Sequence, residues 1–188
     1  SVPQHLLGFS LPVMLGAAIH VKEEYAEAQF ILPLADTVDP QMVDRIIRAY
    51  PVSVTVVTGM IYDAVGLADM AMVASGTATM ETALLETPMV IVYRISSFTA
   101  AVGRRLIRLE HIGLPNIIAG RTLVPELIQE DTNASRLADE AIKILSDRKR
   151  YDEIRKGLAE IRKKLGETGA SRRAARLALN LMNQANVF

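Results

Sequence analysis

Between residues 29 and 93, four short apolar runs alternate with stretches of helical character, and this alternation leaves the chain few folds to choose from. The runs cover 29–34, 51–57, 70–74 and 88–93; helices are predicted between them at 40–49, 61–67 and 78–86. Strands joined through helices imply right-handed βαβ units and a mostly parallel sheet covered on both faces. Asp39-Pro40 marks one helix start, an N-cap carboxylate followed by proline in the first turn. Ahead of the first strand a surface helix is predicted over 11–28. Leu11, Met14, Leu15, Ala18 and Ile19 fall at helical spacing there, with Lys22, Glu23, Glu24 and Glu27 toward the far end.

Past Tyr93 the pattern changes. A helix is predicted over 97–109, then an irregular Gly/Pro/Asn stretch through Arg121 and a short helix near Pro125, with no further strand signalled. The segments 135–145, 150–165 and 171–182 are charged on one side and apolar on the other, so they read as helices packing on the sheet or on a neighbour. The predicted organisation is a Rossmann-like α/β domain over 1–132 and a helical C-terminal tail over 133–188. With 188 residues, half of them hydrophobic, the chain fits one such domain.

Composition excludes several classes of function. Cysteine is absent, which removes disulfides and thiolate chemistry and fits a reducing compartment, the cytoplasm by default. Lysine plus arginine and aspartate plus glutamate number 21 each, so no global field favours nucleic acid. No apolar stretch approaches the roughly 20 residues of a membrane span, and residues 1–10 do not read as a signal peptide. His5, His20 and His111 are scattered without metal-ligand spacing. Neither a Ser/His/Asp set nor a Walker-type phosphate loop is present. No metal and no cofactor is expected.

In an open parallel sheet ligands bind beyond the carboxyl ends of the strands, so the loops there are the candidates. The foremost is Ser75-Gly76-Thr77-Ala78-Thr79-Met80-Glu81, which leaves the third strand and opens a helix. Glycine lets a ligand approach, while hydroxyls and first-turn amides can cradle phosphate oxygens. Glu81 would repel a diphosphate and suits ribose hydroxyls better. The alternative is that Ser75 or Thr77 caps the helix and Glu81 complements its dipole. Thr58-Gly59-Met60, after the second strand, can offer main-chain groups to a base edge, or is a plain turn. Tyr93-Arg94 closes the fourth strand and so points at the ligand edge, against the alternative of a buried strand-end tyrosine. In Leu114-Pro115-Asn116-Ile117-Ile118-Ala119-Gly120-Arg121, the asparagine, glycine and arginine suit a diphosphate clamp, against the alternative of a surface loop. Arg104, Arg105 and Arg108 interleave with Val102, Leu106, Ile107 and Leu109, which suits either an anionic membrane surface or a solvated helix face.

Taken together, Ala74 to Glu81, Thr87-Pro88-Met89-Val90, Tyr93-Arg94, Leu114 to Arg121 and Val124-Pro125-Glu126-Leu127 resemble the lipid-A-disaccharide synthase family in order and spacing. The Gly-turn with its glutamate is common to many glycosyltransferases of the two-Rossmann B fold; the third block beside Tyr-Arg is more specific. The resemblance implies one half of that fold, the carboxyl-terminal, donor-binding half. The implied reaction transfers 2,3-diacylglucosamine from UDP-2,3-diacylglucosamine to lipid X, giving the β-1,6-linked disaccharide and UDP. It further implies a peripheral place on the inner face of the inner membrane.

Carried over by position, Ser75, Gly76 and Thr77 would meet the diphosphate and Glu81 the ribose, with Asn116 and Arg121 near the diphosphate and sugar. Gly59, Met60, Thr79, Tyr93, Arg94 and Gly120 complete the expected UDP-sugar set, and Arg104, Arg105 and Arg108 the membrane-facing set. The family's Pro-Gly-Ser-Arg loop does not appear in Ser1 to Gly8. The N-terminal acceptor domain that would carry the catalytic side chain is missing as well, so no catalytic residue is expected in this chain. That domain, the two lipid substrates, a homo-oligomer and the membrane are the partners to consider; nucleic acid is not. The rival readings are another UDP-sugar glycosyltransferase or epimerase domain, and a non-catalytic nucleotide-binding module.

Overall fold

The computed structural model describes residues 4–93, 111–166, 169, 172, 175–179 and 182, with side chains from Gly8 onward. Its strands all pair in parallel. Phe30–Leu34 (β1) runs beside Val54–Thr58 (β2), Phe30 opposite Val54 and Leu34 opposite Thr58. Ala71–Ala74 (β3), Met89–Tyr93 (β4) and Glu126–Ile128 (β5) form a second ladder in the order β3-β4-β5. Hydrogen bonding thus divides the single expected sheet into two short parallel ladders. The architecture is the expected Rossmann-like α/β arrangement flanked by helices.

Met89, Val90, Ile91 and Val92 are each no more than 2% exposed. Successive side chains of a strand point to opposite faces, so burial of all four means that both faces of β4 are covered. Gln4–Glu24 (α1) joins the two ladders. Its Leu11 and Leu15 pack with Leu34 and Val43 beside β1, while its Ala17 and Val21 enter the larger core around β4. It starts earlier than residue 11 and runs through Pro12. Proline leaves the carbonyl of Gly8 without its helical partner, but Gly8 is exposed and water can serve it. Beyond the helix end Lys22 Nζ donates to Ala28 O at 2.8 Å.

Pro40–Ile47 (α2) begins as expected, with Asp39 Oδ1 accepting from Gln41 N at 2.9 Å. Ile61–Leu67 (α3) matches its predicted bounds. Thr77–Leu84 (α4) stops two residues short of the predicted end because Glu86 adopts a left-handed φ of 60°; Arg162 reaches its carboxylate at 3.2 Å. Leu114–Ala119 (α5) is helical where an irregular stretch was expected, with Pro115 in its first turn and Gly120 at φ 69° closing it. The short helix expected near Pro125 is instead β5 followed by a 3-10 turn at Gln129–Asp131. Three residues carry no periodicity of their own; pairing with β4, where Ile91 N donates to Pro125 O at 2.9 Å, fixes them as a strand.

Ala134–Ser146 (α6) and Arg148–Leu165 (α7) are capped by Asn133 and Asp147. Their Leu137, Ala138, Ala141, Ile144, Ile154, Leu158 and Ile161 belong to the same buried cluster as β4. Arg150 of α7 pairs with Glu140 of α6 at 2.9 Å. Burial pushes the Glu140 carboxyl up, but the hydrogen bonds and charges of Lys143 and Arg150 outweigh it and hold the group below its ordinary value. A lowered folded value means that this pair's contribution is complete at neutral pH and is lost as pH falls through that lowered value.

Where α1 crosses α6, a Cβ on Gly16 would stand 2.8 Å from the Cβ of Ala134. Neither atom can rotate away, so Gly16→Val is expected to destabilise the fold by about 1–3 kcal/mol through overpacking. A melting temperature unchanged by that substitution would show that the two helices are not locked at this crossing.

Candidate functional site

Because the strands are parallel, the carboxyl ends within each ladder lie at one edge. From β3 the chain leaves through Ser75, whose N–H still donates to Val92 O of β4 at 2.9 Å. Gly76 then takes φ 152°, which side-chain-bearing residues rarely adopt, and nothing lies within 4 Å of where its Cβ would be. The backbone there faces open space. Gly76 is also the N-cap of α4, and no side chain caps that helix. The capping roles considered for Ser75 and Thr77 are therefore not the observed ones. Thr77 and Ala78, in the first turn, are exposed, and first-turn N–H groups have no intrahelical partners. Glu81 is exposed one turn further on, on the side of the helix that Thr77 shares.

Thr79 departs from its expected role. It is fully buried, and its hydroxyl donates to Gly76 O at 2.7 Å, so it shapes the turn from inside. Across the edge of the other ladder, Thr58, Gly59 and Met60 are exposed; Gly59 has φ 74° and open space beside it. Met60 is 56% exposed at the start of α3. Tyr93, half-buried at the end of β4, accepts at its backbone oxygen from the Thr132 hydroxyl at 3.3 Å. Arg94, Arg104, Arg105 and Arg108 lie outside the described residues.

The structure also places Asn116 differently from a ligand contact. It is 0% exposed. Its Nδ2 donates to Val124 O at 2.8 Å and to Glu126 Oε1 at 2.6 Å, and its Oδ1 accepts from Leu123 N at 2.8 Å and Val124 N at 2.9 Å. Two donors and two acceptor sites are all an asparagine side chain has, so nothing remains for a diphosphate. Glu126 completes the bracket by accepting from Ile112 N at 2.9 Å and Gly113 N at 3.0 Å. Gly120 and Arg121 lie on the approach to β5 at its amino end. Arg121 is exposed, with Nη2 3.2 Å from where a Cβ on Gly157 of α7 would be. The described contacts bring it to α7 rather than to the Ser75 loop.

Two residues that brace β5 were not assigned from the sequence. Glu126 stands within the quoted motif, but nothing in its neighbours signals three internal donors. Thr132, whose hydroxyl also donates to Leu127 O at 2.8 Å and so ties the end of β5 to β4, had no sequence signal at all. Among the described residues no group of three or more His, Asp or Glu side chains is placed to hold a metal ion.

A family model described as lipid-A-disaccharide synthetase matches residues 7–181. A curated lipid-A-disaccharide synthase of Syntrophus aciditrophicus is 47% identical over 177 residues, covering 94% of this chain and 46% of the relative. The Geobacter sulfurreducens protein of the same name is 42% identical over 173 residues, with 92% and 45% covered. That of Myxococcus xanthus is 38% identical over 177 residues, with 94% and 46% covered. The chain spans about half the length of the curated relatives it matches, their carboxyl-terminal half.

Proposed function

The chain belongs to the lipid-A-disaccharide synthetase family, and from that premise we propose that it is the donor-binding half of a hexosyltransferase. The proposed reaction passes 2,3-diacylglucosamine from UDP-2,3-diacylglucosamine to lipid X. A hydroxyl of lipid X attacks the anomeric carbon, the bond from that carbon to the diphosphate breaks, UDP leaves, and the hydroxyl proton goes to a base outside this chain. The observation that carries the reading is the turn from β3 into α4. Gly76 opens the backbone to solvent there, the first turn of α4 has no side-chain cap, and Glu81 stands one turn away.

In this assignment the Ser75 hydroxyl and the main-chain N–H groups of Gly76 and Thr77 donate to the diphosphate. Glu81 accepts from ribose hydroxyls, and Gly59 and Met60 meet the base. Tyr93, Arg94, Gly120 and Arg121 remain candidate contacts, whereas Thr79 shapes the Gly76 turn from inside and Asn116 braces the approach to β5. Among the described residues no helix is long and apolar enough to cross a membrane. The proposed lipid substrates call for peripheral contact with the inner face of the inner membrane, assigned here to Arg104, Arg105 and Arg108.

Glu81→Ala tests the nucleotide site. Charge-assisted hydrogen bonds are worth roughly 1.5–3 kcal/mol, so UDP affinity should fall by about 10- to 150-fold, with the melting temperature nearly unchanged because Glu81 is exposed. Calorimetry against UDP, with ADP and GDP as controls, reads the effect. Full UDP affinity together with a lowered melting temperature would leave Glu81 as a helix-dipole residue and remove the ribose assignment.

A further inference from the structure

The base and the diphosphate of the proposed donor meet different halves of the fold. Gly59 and Met60 follow β2, whereas Ser75, Gly76 and Thr77 follow β3, and among the described residues no strand pairing joins the two ladders. α3 begins at Met60 and α4 at Gly76. Both helices are short, roughly 10–12 Å, and their far ends meet at Thr87. The Thr87 hydroxyl donates to Val65 O, in the last turn of α3, at 2.8 Å. Its N–H donates to Thr82 O of α4 at 3.3 Å, across the turn in which Glu86 takes φ 60°. Thr87 is only 3% exposed. Beside it, Leu85 Cδ2 lies 3.8 Å from where a Cβ on Gly66 would be, so the two helix ends are also packed together. α1 spans both ladders too, but contributes no residue to the proposed site.

We propose that Thr87 is a positioning residue that sets the spacing between the base-binding and diphosphate-binding edges. The proposal rests on the donor-half reading and deepens it. Val65 O does not need the hydroxyl to be satisfied, because it also accepts from Ala68 N at 3.3 Å. What the hydroxyl adds is a tie across 22 positions of chain, from the turn after α4 to the end of α3. α3 hangs from β2 at its amino end; without the tie at its far end it can tilt, carrying Gly59 and Met60 relative to Gly76. A ligand that engages two subsites gains from the second only while their spacing matches it. Thr87 therefore acts on UDP through α3, without touching it.

The test is calorimetric titration of the whole chain with UDP, beside a titration with inorganic pyrophosphate, which reaches only the diphosphate edge. Thr87→Val keeps a similar volume and removes the hydroxyl. It should lower UDP affinity about tenfold, a fraction of the roughly 10²- to 10⁴-fold that losing simultaneous engagement can cost, and leave pyrophosphate affinity unchanged. Thr87→Ala, which cannot crowd Val65 O, is the second variant without the hydroxyl and should lose UDP affinity alike. Thr87→Ser keeps the hydroxyl but gives up a buried methyl; it should melt lower than the wild type and still bind UDP as the wild type does. A hydroxyl that served stability alone would move melting and leave UDP affinity where it was. Wild-type UDP affinity in the valine and alanine variants would therefore overturn the proposal, as would equal losses of UDP and pyrophosphate affinity, or a serine variant that binds UDP no better than they do. A folded wild-type chain that does not bind UDP would end the donor-half reading itself, and this inference with it.

Discussion

Asn116→Ala is expected to lower the free energy of unfolding by about 3–5 kcal/mol, at the upper end for a single substitution. The size follows from how completely the amide is used. Truncation leaves Leu123 N, Val124 N and Val124 O without partners, and Leu123 and Val124 are only 6% and 0% exposed. A buried group that loses its partner costs about 1–3 kcal/mol, and three such costs in one bracket sum incompletely because the loop can relax. Glu126 also loses the donor at 2.6 Å, though it keeps Ile112 N and Gly113 N. Asn116→Asp tests the same geometry: it replaces the donating amide nitrogen with an oxygen that faces Val124 O and the Glu126 carboxylate, and should be at least as damaging. Urea midpoints at constant m-value measure both. UDP affinity, taken well below the melting range, should change little for Asn116→Ala. Lost UDP binding with an unshifted midpoint would restore Asn116 to the ligand-contacting set.

Titrated with UDP, this chain by itself is expected to bind, and given both lipid substrates it is expected to form no disaccharide. Binding needs only the diphosphate and ribose contacts proposed for Ser75, Gly76, Thr77 and Glu81. Transfer also needs the acceptor hydroxyl held in line with the anomeric carbon, worth about 7–11 kcal/mol of barrier, and a base to take its proton, worth about 10²- to 10⁴-fold. Nothing in the described site pairs a carboxylate or imidazole with a held acceptor. Glu81 sits beside the proposed ribose, and Glu126 is engaged by Ile112, Gly113 and Asn116. Calorimetry with UDP and a radiolabelled disaccharide assay on the same preparation give the two readings. Robust product would show that the catalytic group lies within this chain, and a folded chain that does not bind UDP would end the donor-half assignment.

Where a feature rests on neighbours in sequence, the sequence determined it. The alternation of short apolar runs and helices gave four strands within a few residues of their observed bounds, because a short apolar run set between helical stretches is itself a strand signal. Asp39-Pro40 capped α2 as local chemistry dictates, and the Gly76 turn was legible because glycine admits backbone conformations that side-chain-bearing residues rarely adopt. The blocks around Ser75 and Leu114 were enough to suggest the family that the wider comparison shows. Tertiary structure alone decided the rest. β5 exists because β4 offers an edge, not because Glu126, Leu127 and Ile128 prefer to be extended. Asn116 and Thr79 carry the residue types of a phosphate site, yet one is enclosed by the backbone of residues 123 and 124 and the other turns back onto Gly76. A polar side chain facing a ligand and one bracketing a loop have the same formula; they differ in which groups from elsewhere in the fold reach them first.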